Sequence, residues 1–268
     1  MTYPPIALTV AGSDSGGGAG IQADLKAMSA NGVYGASVIT AVTAQNTIAV
    51  TAVHEVPAHL VAEQLAAVLS DLDVRAIKLG MLFSVPIISA VATALHTFDG
   101  PIVVDPVMIA KSGDALLKED AVAAMVRDIL PLATLLTPNL PEAAQLTGTP
   151  QAETPEAMSA QAAALLALGP EAVLMKGGHA DGQTCTDLLV DGTGILATHS
   201  APRQATKNTH GTGCTYSATI AALMARGQGV EAAVASAHGY LQAAIQAADD
   251  LRIGAGHGPV HHFHGLWG

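Results

Sequence analysis

One stretch is more informative than any other segment of the chain: Lys207-Asn-Thr-His-Gly-Thr-Gly-Cys-Thr215, which comes directly before a long apolar and alanine-rich segment. Gly211 and Gly213 permit a tight turn whose backbone N–H groups converge on one point. The run 218–225 predicts a helix that begins near Gly213. Glycines at the positive end of a helix are typical of an anion site, although they can also serve only as turn residues. We expect Cys214, at the same helix end, to have a lowered thiol pKa.

The composition indicates a globular protein with a large core. The chain has 268 residues, of which 50% are hydrophobic and 12% are charged, and we expect one domain over residues 1–268. No apolar run reaches the roughly 18 residues of a membrane span, and the first residues lack the features of a signal peptide. Two cysteines are too few for a disulfide framework, so we expect a cytoplasmic protein with no membrane partner. The net charge of −11 disfavours nucleic acid as a partner.

Short apolar strands alternate with amphipathic helices along the whole sequence. This alternation predicts an α/β fold with a mostly parallel sheet covered by helices on both faces. Ligands bind such sheets beyond the carboxyl ends of the strands. The predicted strands are 6–11, 36–43, 74–79, 101–105, 133–137, 172–176 and a hairpin of 188–190 with 195–198. The predicted helices are 19–30, 57–72, 86–98, 121–130, 157–168, 213–226 and 230–248.

A glycine cluster, Ala11-Gly-Ser-Asp-Ser-Gly-Gly-Gly-Ala-Gly20, follows the first predicted strand. Its spacing matches neither the dinucleotide-binding fingerprint nor the P-loop, so it predicts a close approach of backbone to a ligand and nothing more specific. Asp24, in the next helical turn, is either a ligand-binding carboxylate or a solvated one. Gln45 follows the second predicted strand, and its amide can read the edge of a flat heteroaromatic ring through two hydrogen bonds.

Polar side chains also follow the later predicted strands. Asp105, Asn139 and Glu142 offer the oxygen ligands that Mg²⁺ prefers. Asn139 and Glu142 also have the spacing of a helix N-cap with a capping box, and this alternative stays open. Lys176 either meets a polyphosphate or extends to solvent. The histidines in 256–264 lack the ligand spacing of a metal site, so we interpret this segment as an ordered structural tail.

Seven motifs over essentially the whole chain resemble the hydroxymethylpyrimidine/phosphomethylpyrimidine kinases, a family of the ribokinase-like superfamily. They are A-G-S-D-S-G-G-G-A-G-I-Q-A-D-L-K (11–26), V-I-T-A-V-T-A-Q-N-T (38–47), D-P-V-M-I-A-K-S-G (105–113), T-P-N-L-P-E-A (137–143), V-L-M-K-G-G-H (173–179), K-N-T-H-G-T-G-C-T (207–215) and G-P-V-H-H-F-H (258–264). The resemblance implies a ribokinase-like three-layer α/β/α fold and a homodimer. It implies phosphorylation by ATP with Mg²⁺ of 4-amino-5-hydroxymethyl-2-methylpyrimidine, then of its monophosphate, in thiamin biosynthesis.

The same resemblance implies roles for individual residues. The pyrimidine pocket would be lined by Gly12, Asp24, Gln45, Met81 and Val107. The anion hole would be formed by Gly211, Thr212, Gly213 and Cys214. ATP and Mg²⁺ would be held by Asp105, Asn139, Glu142 and Lys176, with Asp105 and Glu142 nearest the metal. Many related sugar kinases have an aspartate base in place of Cys214, so whether this thiol acts as the base or positions the hydroxyl group stays open.

Three other functions compete with this interpretation. A pyridoxal or pyridoxine kinase is the nearest, since some of these enzymes share Gly-Thr-Gly-Cys, but Gln45, Met81 and the histidine-rich tail favour the pyrimidine. A thiol hydrolase with Cys214 as nucleophile and His210 as base would leave the carboxylates and the first glycine cluster unexplained. A catalytically silent binding protein is disfavoured because the candidate catalytic residues are intact.

Overall fold

The computed structural model describes residues 3–108, 119–179 and 182–267. Its strands are β1 (Ile6–Asp14), β2 (Tyr34–Gln45), β3 (Val50–Glu55), β4 (Val74–Leu79), β5 (Ile102–Val104), β6 (Leu135–Leu136), β7 (Ala172–Met175), β8 (Thr184–Asp191) and β9 (Gly194–Pro202). They form one sheet in the order β3-β2-β1-β4-β5-β6-β7-β8-β9. The six strands from β2 to β7 in this order are parallel, and β3, β8 and β9 are antiparallel at the two edges.

Helices cover both faces of the sheet. They are α1 (Gly20–Ala30), α2 (Ala58–Asp71), α3 (Val85–Leu95), α4 (Glu119–Ala124), α5 (Leu140–Thr147), α6 (Pro155–Leu166), α7 (Thr212–Ala225) and α8 (Val230–Gln246). One core contains buried side chains of α2 to α6, and the other contains those of α1, α7 and α8. No helix in the described ranges is long and apolar enough to cross a bilayer.

Side chains of the central strands alternate between the two cores. In β4, Ile77 and Leu79 belong to one core, and Ala76 belongs to the other. In β5, Val104 belongs to the first of these cores and Val103 belongs to the second. A strand that is buried on both faces reads as a continuous apolar run, which is why these strands were visible in the sequence. The predicted three-layer architecture is therefore confirmed.

Four local corrections to the predicted elements are needed. The strand β3 and the helix α5 were not predicted, and the strand predicted over 133–137 is reduced to β6. The helix predicted over 121–130 begins as α4, widens to a π-helical turn at Met125–Ile129 and ends in a 3₁₀ turn at Leu130–Leu132. Pro131 lies in that last turn, and proline disfavours helical geometry at the residue before it. Residues 109–113 of the motif 105–113 lie outside the described residues.

A buried ion pair joins α1 to the sheet. Lys78 Nζ in β4 lies 2.9 Å and 3.1 Å from the two carboxylate oxygens of Asp24 in α1, and both residues have an exposed fraction of 0%. The Thr9 hydroxyl donates to the same carboxylate over 2.6 Å. Burial lowers the pKa of Lys78, but the charge and hydrogen bond of Asp24, together with the charges of Cys214 and Asp105, outweigh it, so the pKa is raised and the lysine stays charged. Burial raises the pKa of Asp24, and the charge of Lys78 opposes that shift.

We expect Lys78→Met to lower the free energy of unfolding by about 3–5 kcal/mol, because it leaves an uncompensated buried carboxylate. The double variant Lys78→Met/Asp24→Leu should lose less than the sum of the two single variants. Urea unfolding measures all three. Arg75→Ala, which breaks the exposed pair of Arg75 with Asp73, is the control and should change stability by about 0.5 kcal/mol or less. Additive losses in the double variant would contradict this account.

Candidate active site

A cavity of about 730 Å³ opens at the carboxyl ends of the parallel strands. Parallel strands end at the same edge of the sheet, so the polar residues that follow them converge there. All but one of the predicted site residues line this cavity: Gly12, Gln45, Met81, Asp105, Val107, Asn139, Glu142, Lys176, Gly211, Thr212, Gly213 and Cys214. The structure thus brings together residues that are up to about two hundred positions apart in the chain.

Asp24 is the exception. It lies behind the cavity wall, fully buried against Lys78 and Thr9, and is not among the lining residues. The interpretation of Asp24 as a solvated carboxylate is therefore wrong, and its contact with a ligand stays a prediction. Lys78, the partner of Asp24, is among the lining residues.

The helix α7 begins at the cavity, as the sequence predicts. Gly211 precedes it with a φ of +76°, in the left-handed region that favours glycine. A Cβ atom on Gly211 would lie 1.8 Å from the carbonyl oxygen of Gly18, so the two glycine loops touch backbone to backbone. The first N–H groups of a helix have no partner within the helix and attract anions. The Gly211–Cys214 segment therefore has the geometry of an anion hole.

The Cys214 thiol does not have the lowered pKa that its position suggested. Burial raises the pKa to about 11; the charge of Lys78 opposes this shift, whereas the charges of Asp24 and Asp105 add to it. A backbone N–H of Gly20 donates to the sulfur and favours the thiolate weakly. The helix end was visible in the sequence, but the buried acids around it were not. The thiol is therefore protonated at neutral pH.

Lys176 and Asp105 form a second ion pair at the cavity. Lys176 Nζ lies 2.8 Å from Asp105 Oδ1, and the lysine side chain is 13% exposed, which excludes an extended surface lysine. The Ser217 hydroxyl lies 3.3 Å from the other carboxylate oxygen. Burial raises the pKa of Asp105, but Lys176 and Lys78 outweigh it and hold the pKa below its usual value. Asp105 is thus an ionised carboxylate at the centre of the cavity.

Asn139 and Glu142 form the capping box that the sequence left open. Asn139 N donates to Glu142 Oε2 over 2.8 Å, and Glu142 N donates to Asn139 Oδ1 over 2.9 Å. Burial raises the pKa of Glu142 to about 7; the charge of Lys176 opposes the shift, and the charge of Asp105 adds to it. Among the described residues, no group of three or more His, Cys, Asp or Glu could hold a metal ion by itself. A cation here would need further ligands such as phosphate oxygens and water.

Gln45 lies on the opposite side of the cavity, next to the first glycine loop. Ser15 Oγ accepts from the Gln45 backbone N–H over 2.8 Å and donates to its carbonyl over 2.7 Å. Gly12 leaves room for Met81, because a Cβ on Gly12 would lie 2.4 Å from Met81 Cε. This side therefore combines an amide with an apolar methionine surface, which suits a flat ring.

Two further residues at this side, Asp14 and His210, were not among the site residues predicted from the sequence. Asp14 accepts N–H bonds from Gly16, Gly18 and Ala19, which fix the glycine loop. It also lies 2.9 Å from His210 Nε2. An aspartate followed by glycines is typical of a loop in which the side chain bonds to backbone N–H groups ahead of it, and this signal could have identified Asp14. His210 was considered only as the base of a thiol hydrolase, but its Nε2 faces Asp14 and Gln45.

The C-terminal segment is an ordered tail, as predicted. His261 and His262 are buried, and His262 Nε2 lies 3.0 Å from the Thr215 hydroxyl in α7. Burial lowers the pKa of His262 to about 3, so its ring is neutral. The Gly258 carbonyl accepts from the His210 N–H over 3.0 Å, which ties the tail to the anion-hole loop.

The fold is that of the ribokinase-like kinases of small molecules. A pyridoxal kinase of Bacillus subtilis, solved as an ADP complex, superimposes with a TM-score of 0.89 at 35% identity, covering 97% of this chain and 98% of that one. A phosphomethylpyrimidine kinase from Clostridium difficile 630 superimposes with a TM-score of 0.78 at 42% identity, covering 90% of this chain and 99% of that one.

The sequence narrows this class to one family. The model of the phosphomethylpyrimidine kinase family matches residues 14–261. The hydroxymethylpyrimidine/phosphomethylpyrimidine kinase of Rhizobium meliloti (strain 1021) is 58% identical over 262 residues, which cover 98% of each chain. The chain belongs to the phosphomethylpyrimidine kinase family.

The contact between the glycine loops predicts the effect of one substitution. Gly211→Ala forces its new Cβ onto the Gly18 carbonyl and strains a positive φ, so the anion-hole backbone must move. We expect kcat to fall by about 10²-fold or more, the scale of a small misplacement at a reacting centre. Gly239→Ala, in α8 with no atom within 4 Å of the added Cβ, is the control and should keep kcat. Steady-state kinetics of both variants, with circular dichroism to verify folding, measure the difference, and a normal kcat in Gly211→Ala would refute it.

Proposed function

We propose that this protein transfers the γ-phosphoryl group of ATP to the hydroxymethyl group of 4-amino-5-hydroxymethyl-2-methylpyrimidine, and a second phosphoryl group to the monophosphate. One observation carries the proposal: a single cavity holds the Gln45 amide, the helix end at Gly211–Cys214 and the buried cation of Lys176. The likeness over nearly the full length to kinases named for these substrates supports the same chemistry.

The transfer needs alignment and neutralisation of charge more than covalent help. The N–H groups at the start of α7 and the ammonium of Lys176 supply positive charge where the phosphoryl group passes. The hydroxyl oxygen attacks phosphorus, and the bond from the γ-phosphorus to its bridging oxygen breaks. The hydroxyl proton must leave in the same step; because the Cys214 thiol is already protonated, it can take this proton only by passing its own proton to an oxygen of the transferred phosphoryl group.

The raised pKa of Cys214 limits how this thiol can act. A sulfur whose pKa is about 11 is not a preformed base at neutral pH. The hydroxyl group becomes acidic as its oxygen bonds to phosphorus, so the proton needs a receiver late in the step. We therefore assign Cys214 to position the hydroxyl group first and to take part in proton transfer as the new bond forms, with Lys78 favouring the thiolate.

The carboxylates at the cavity suit a magnesium ion. Asp105 and Glu142 are buried close enough for the charge of one to raise the pKa of the other, and a divalent cation would relieve that repulsion. Asn139 supports Glu142 through the capping box. Mg²⁺ bound there would neutralise the ATP phosphates. The raised pKa of Glu142 means that protonation competes with the metal as the pH falls through about 7.

The cavity continues past Lys176 toward α8, and we place the adenine there. This part is lined by Tyr216, His238, Leu241 and Ile245. Flat heteroaromatic ligands bind surfaces that are mainly apolar and carry a few polar groups. In this arrangement the triphosphate extends back toward Lys176 and the anion hole.

The test is to incubate the purified protein with Mg-ATP and each candidate alcohol and to resolve the products by mass. We expect both the monophosphate and the diphosphate of the pyrimidine, and no product after chelation of the metal. Cys214→Ala should lower kcat by about 10²-fold or more, the scale of a positioned acid–base group. Cys185→Ala changes the other free cysteine, which also lines the cavity but lies outside the anion hole, and it should keep most of the activity. Hydrolysis without ATP, or phosphorylation of pyridoxine alone, would overturn the proposal.

A second variant tests the substrate end of the cavity. Gln45→Ala removes a two-bond contact to the aminopyrimidine, which is worth about 1–3 kcal/mol. We expect KM for the pyrimidine to rise by about tenfold or more, whereas KM for ATP should change little because Gln45 lies away from Lys176. Initial rates with each substrate varied in turn measure both constants. Equal changes in the two constants would contradict the assignment of Gln45.

We further propose a cytoplasmic homodimer. The edge strand β3 and the end of β2 expose apolar side chains, among them Val42, Ile48 and Val53. An exposed edge strand readily pairs with another chain, so this edge is a suitable dimer contact. Light scattering of the purified protein measures its mass, and a monomer would refute the dimer. Both cysteines are free, in keeping with a reducing compartment that supplies ATP.

A further inference from the structure

The side-chain amide of Gln45 lies between His210 and Thr43. Its nitrogen, Nε2, is 3.2 Å from His210 Nε2, and its oxygen, Oε1, is 3.2 Å from Thr43 Oγ1. The two ends of a glutamine amide have nearly the same shape, so the hydrogen-bond partners decide which end is which. The partners on both sides therefore determine the order of donor and acceptor that Gln45 presents to the cavity.

On one side, His210 must donate. Its Nε2 lies 2.9 Å from Asp14 Oδ2. Burial raises the pKa of Asp14, but the hydrogen bonds from His210, Ala19 and Gly16 outweigh it and hold the pKa below its usual value. An ionised carboxylate only accepts hydrogen bonds, so His210 Nε2 carries a hydrogen. A nitrogen that carries a hydrogen cannot accept from the Gln45 NH₂ group, so its neighbour at 3.2 Å is the Gln45 oxygen, which shares the one Nε2 hydrogen with Asp14 in a three-centre bond.

The Thr43 side of the amide leads independently to the same orientation of Gln45. The Thr43 hydroxyl lies 2.9 Å from the carbonyl oxygen of Ser13, to which it donates its one hydrogen. It therefore has only an acceptor left for Gln45, and the amide end near Thr43 must be the NH₂ group. With the amide oxygen toward His210 and the amide nitrogen toward Thr43, the hydrogen-bonding needs of both neighbours are met.

We propose that His210, held by Asp14, is a specificity-determining residue that fixes the Gln45 amide with its oxygen toward His210 and its nitrogen toward Thr43. The inference rests on the proposed function, in which Gln45 reads the ring. The cavity then presents an acceptor on the His210 side and a donor on the Thr43 side. The ring must place its exocyclic amino group toward His210 and its ring nitrogen toward Thr43. A ring turned over would meet the same groups only by moving its hydroxymethyl group away from Cys214.

The backbone around this array is fixed on both sides. Ser15 bonds to both backbone groups of Gln45. The tail residues Gly258 and Val260 bond to both backbone groups of His210, over 3.0 Å and 3.3 Å. Because neither residue can shift to suit another ligand, a ring with the opposite order of donor and acceptor is left with unpaired polar groups. Such mismatches are rejected far more strongly than a missing methylene group.

The experiment compares the aminopyrimidine alcohol with its 4-oxo analogue, 5-hydroxymethyl-2-methylpyrimidin-4-one, whose acceptor and N–H donor are reversed. The measured quantity is the ratio of kcat/KM for the amino substrate to kcat/KM for the oxo substrate. We expect a high ratio in the unmodified protein. In His210→Leu the amide is free to turn, so the ratio should fall by about tenfold or more, with KM for ATP unchanged. His210→Gln, which retains an N–H donor, should keep part of the ratio.

Control variants separate this role from a structural one. His257→Leu removes an exposed histidine whose ring bonds to the Lys207 carbonyl outside the cavity, and it should keep the full ratio. Thr43→Val removes the partner at the other end of the amide and should lower the ratio as His210→Leu does. Thr43→Val also provides the test if His210→Leu does not fold. The double variant Gln45→Ala/His210→Leu should have the same ratio as Gln45→Ala alone.

The outcomes distinguish the two proposals. Equal losses of kcat/KM for both substrates in His210→Leu, with the ratio kept, would overturn the role of His210 and leave the kinase activity standing. If the ratio fell as much in His257→Leu as in His210→Leu, the role of His210 would also be overturned. Failure of the unmodified protein to phosphorylate the aminopyrimidine would instead refute the proposed function.

Discussion

The backbone contact between the two glycine loops is the constraint on which the site depends. The Gly18 carbonyl oxygen lies 1.8 Å from where a Cβ on Gly211 would be, and the Gly12 carbonyl lies 2.3 Å from the Cβ position of Gly20. Backbone can approach backbone this closely only where there are no side chains. The contact sets the start of α1 against the start of α7, so the Gly20 N–H reaches the Cys214 sulfur. Larger residues would separate the ring-reading side from the anion hole by the width of a side chain.

Buried ion pairs give this acidic chain the local positive charge that phosphates need. Lys78 and Lys176 are each paired with an aspartate, Asp24 and Asp105. Each aspartate cancels part of the positive charge of its lysine. Without the aspartate, however, a buried ammonium would lose its proton or destabilise the fold. The acids keep both lysines charged. In the proposed function, incoming phosphate or metal competes for partners that are already ionised, so a net charge of −11 does not conflict with the proposed anion site.

The sequence predicted what depends on local pattern and missed what depends on distant neighbours. The strands β4 and β5 and the helix α7 were found because each carries its own apolar run or glycine signal. The exposed strand β3 has no such run, and its pairing with β2 depends on the edge of the folded sheet. The pKa of Cys214 was predicted from its helix end alone, whereas Asp24 and Asp105, which raise it, come from other elements. His210 was noticed for its distance from Cys214 along the chain, but its bonding partner Asp14 is 196 positions away.

The likeness to pyridoxal kinases locates where substrate choice must reside. A Bacillus subtilis pyridoxal kinase has a TM-score of 0.89 with this chain at 35% identity, so the same overall fold is compatible with more than one ring. A scaffold that does not distinguish rings leaves the choice to the polar atoms that face the ring edge. We propose that in this chain these atoms belong to the Gln45 amide, with their order set by His210 and Thr43. Under that proposal, substrate identity depends on the direction of a few hydrogen bonds, and the phosphate end of the cavity contributes little to the choice of ring.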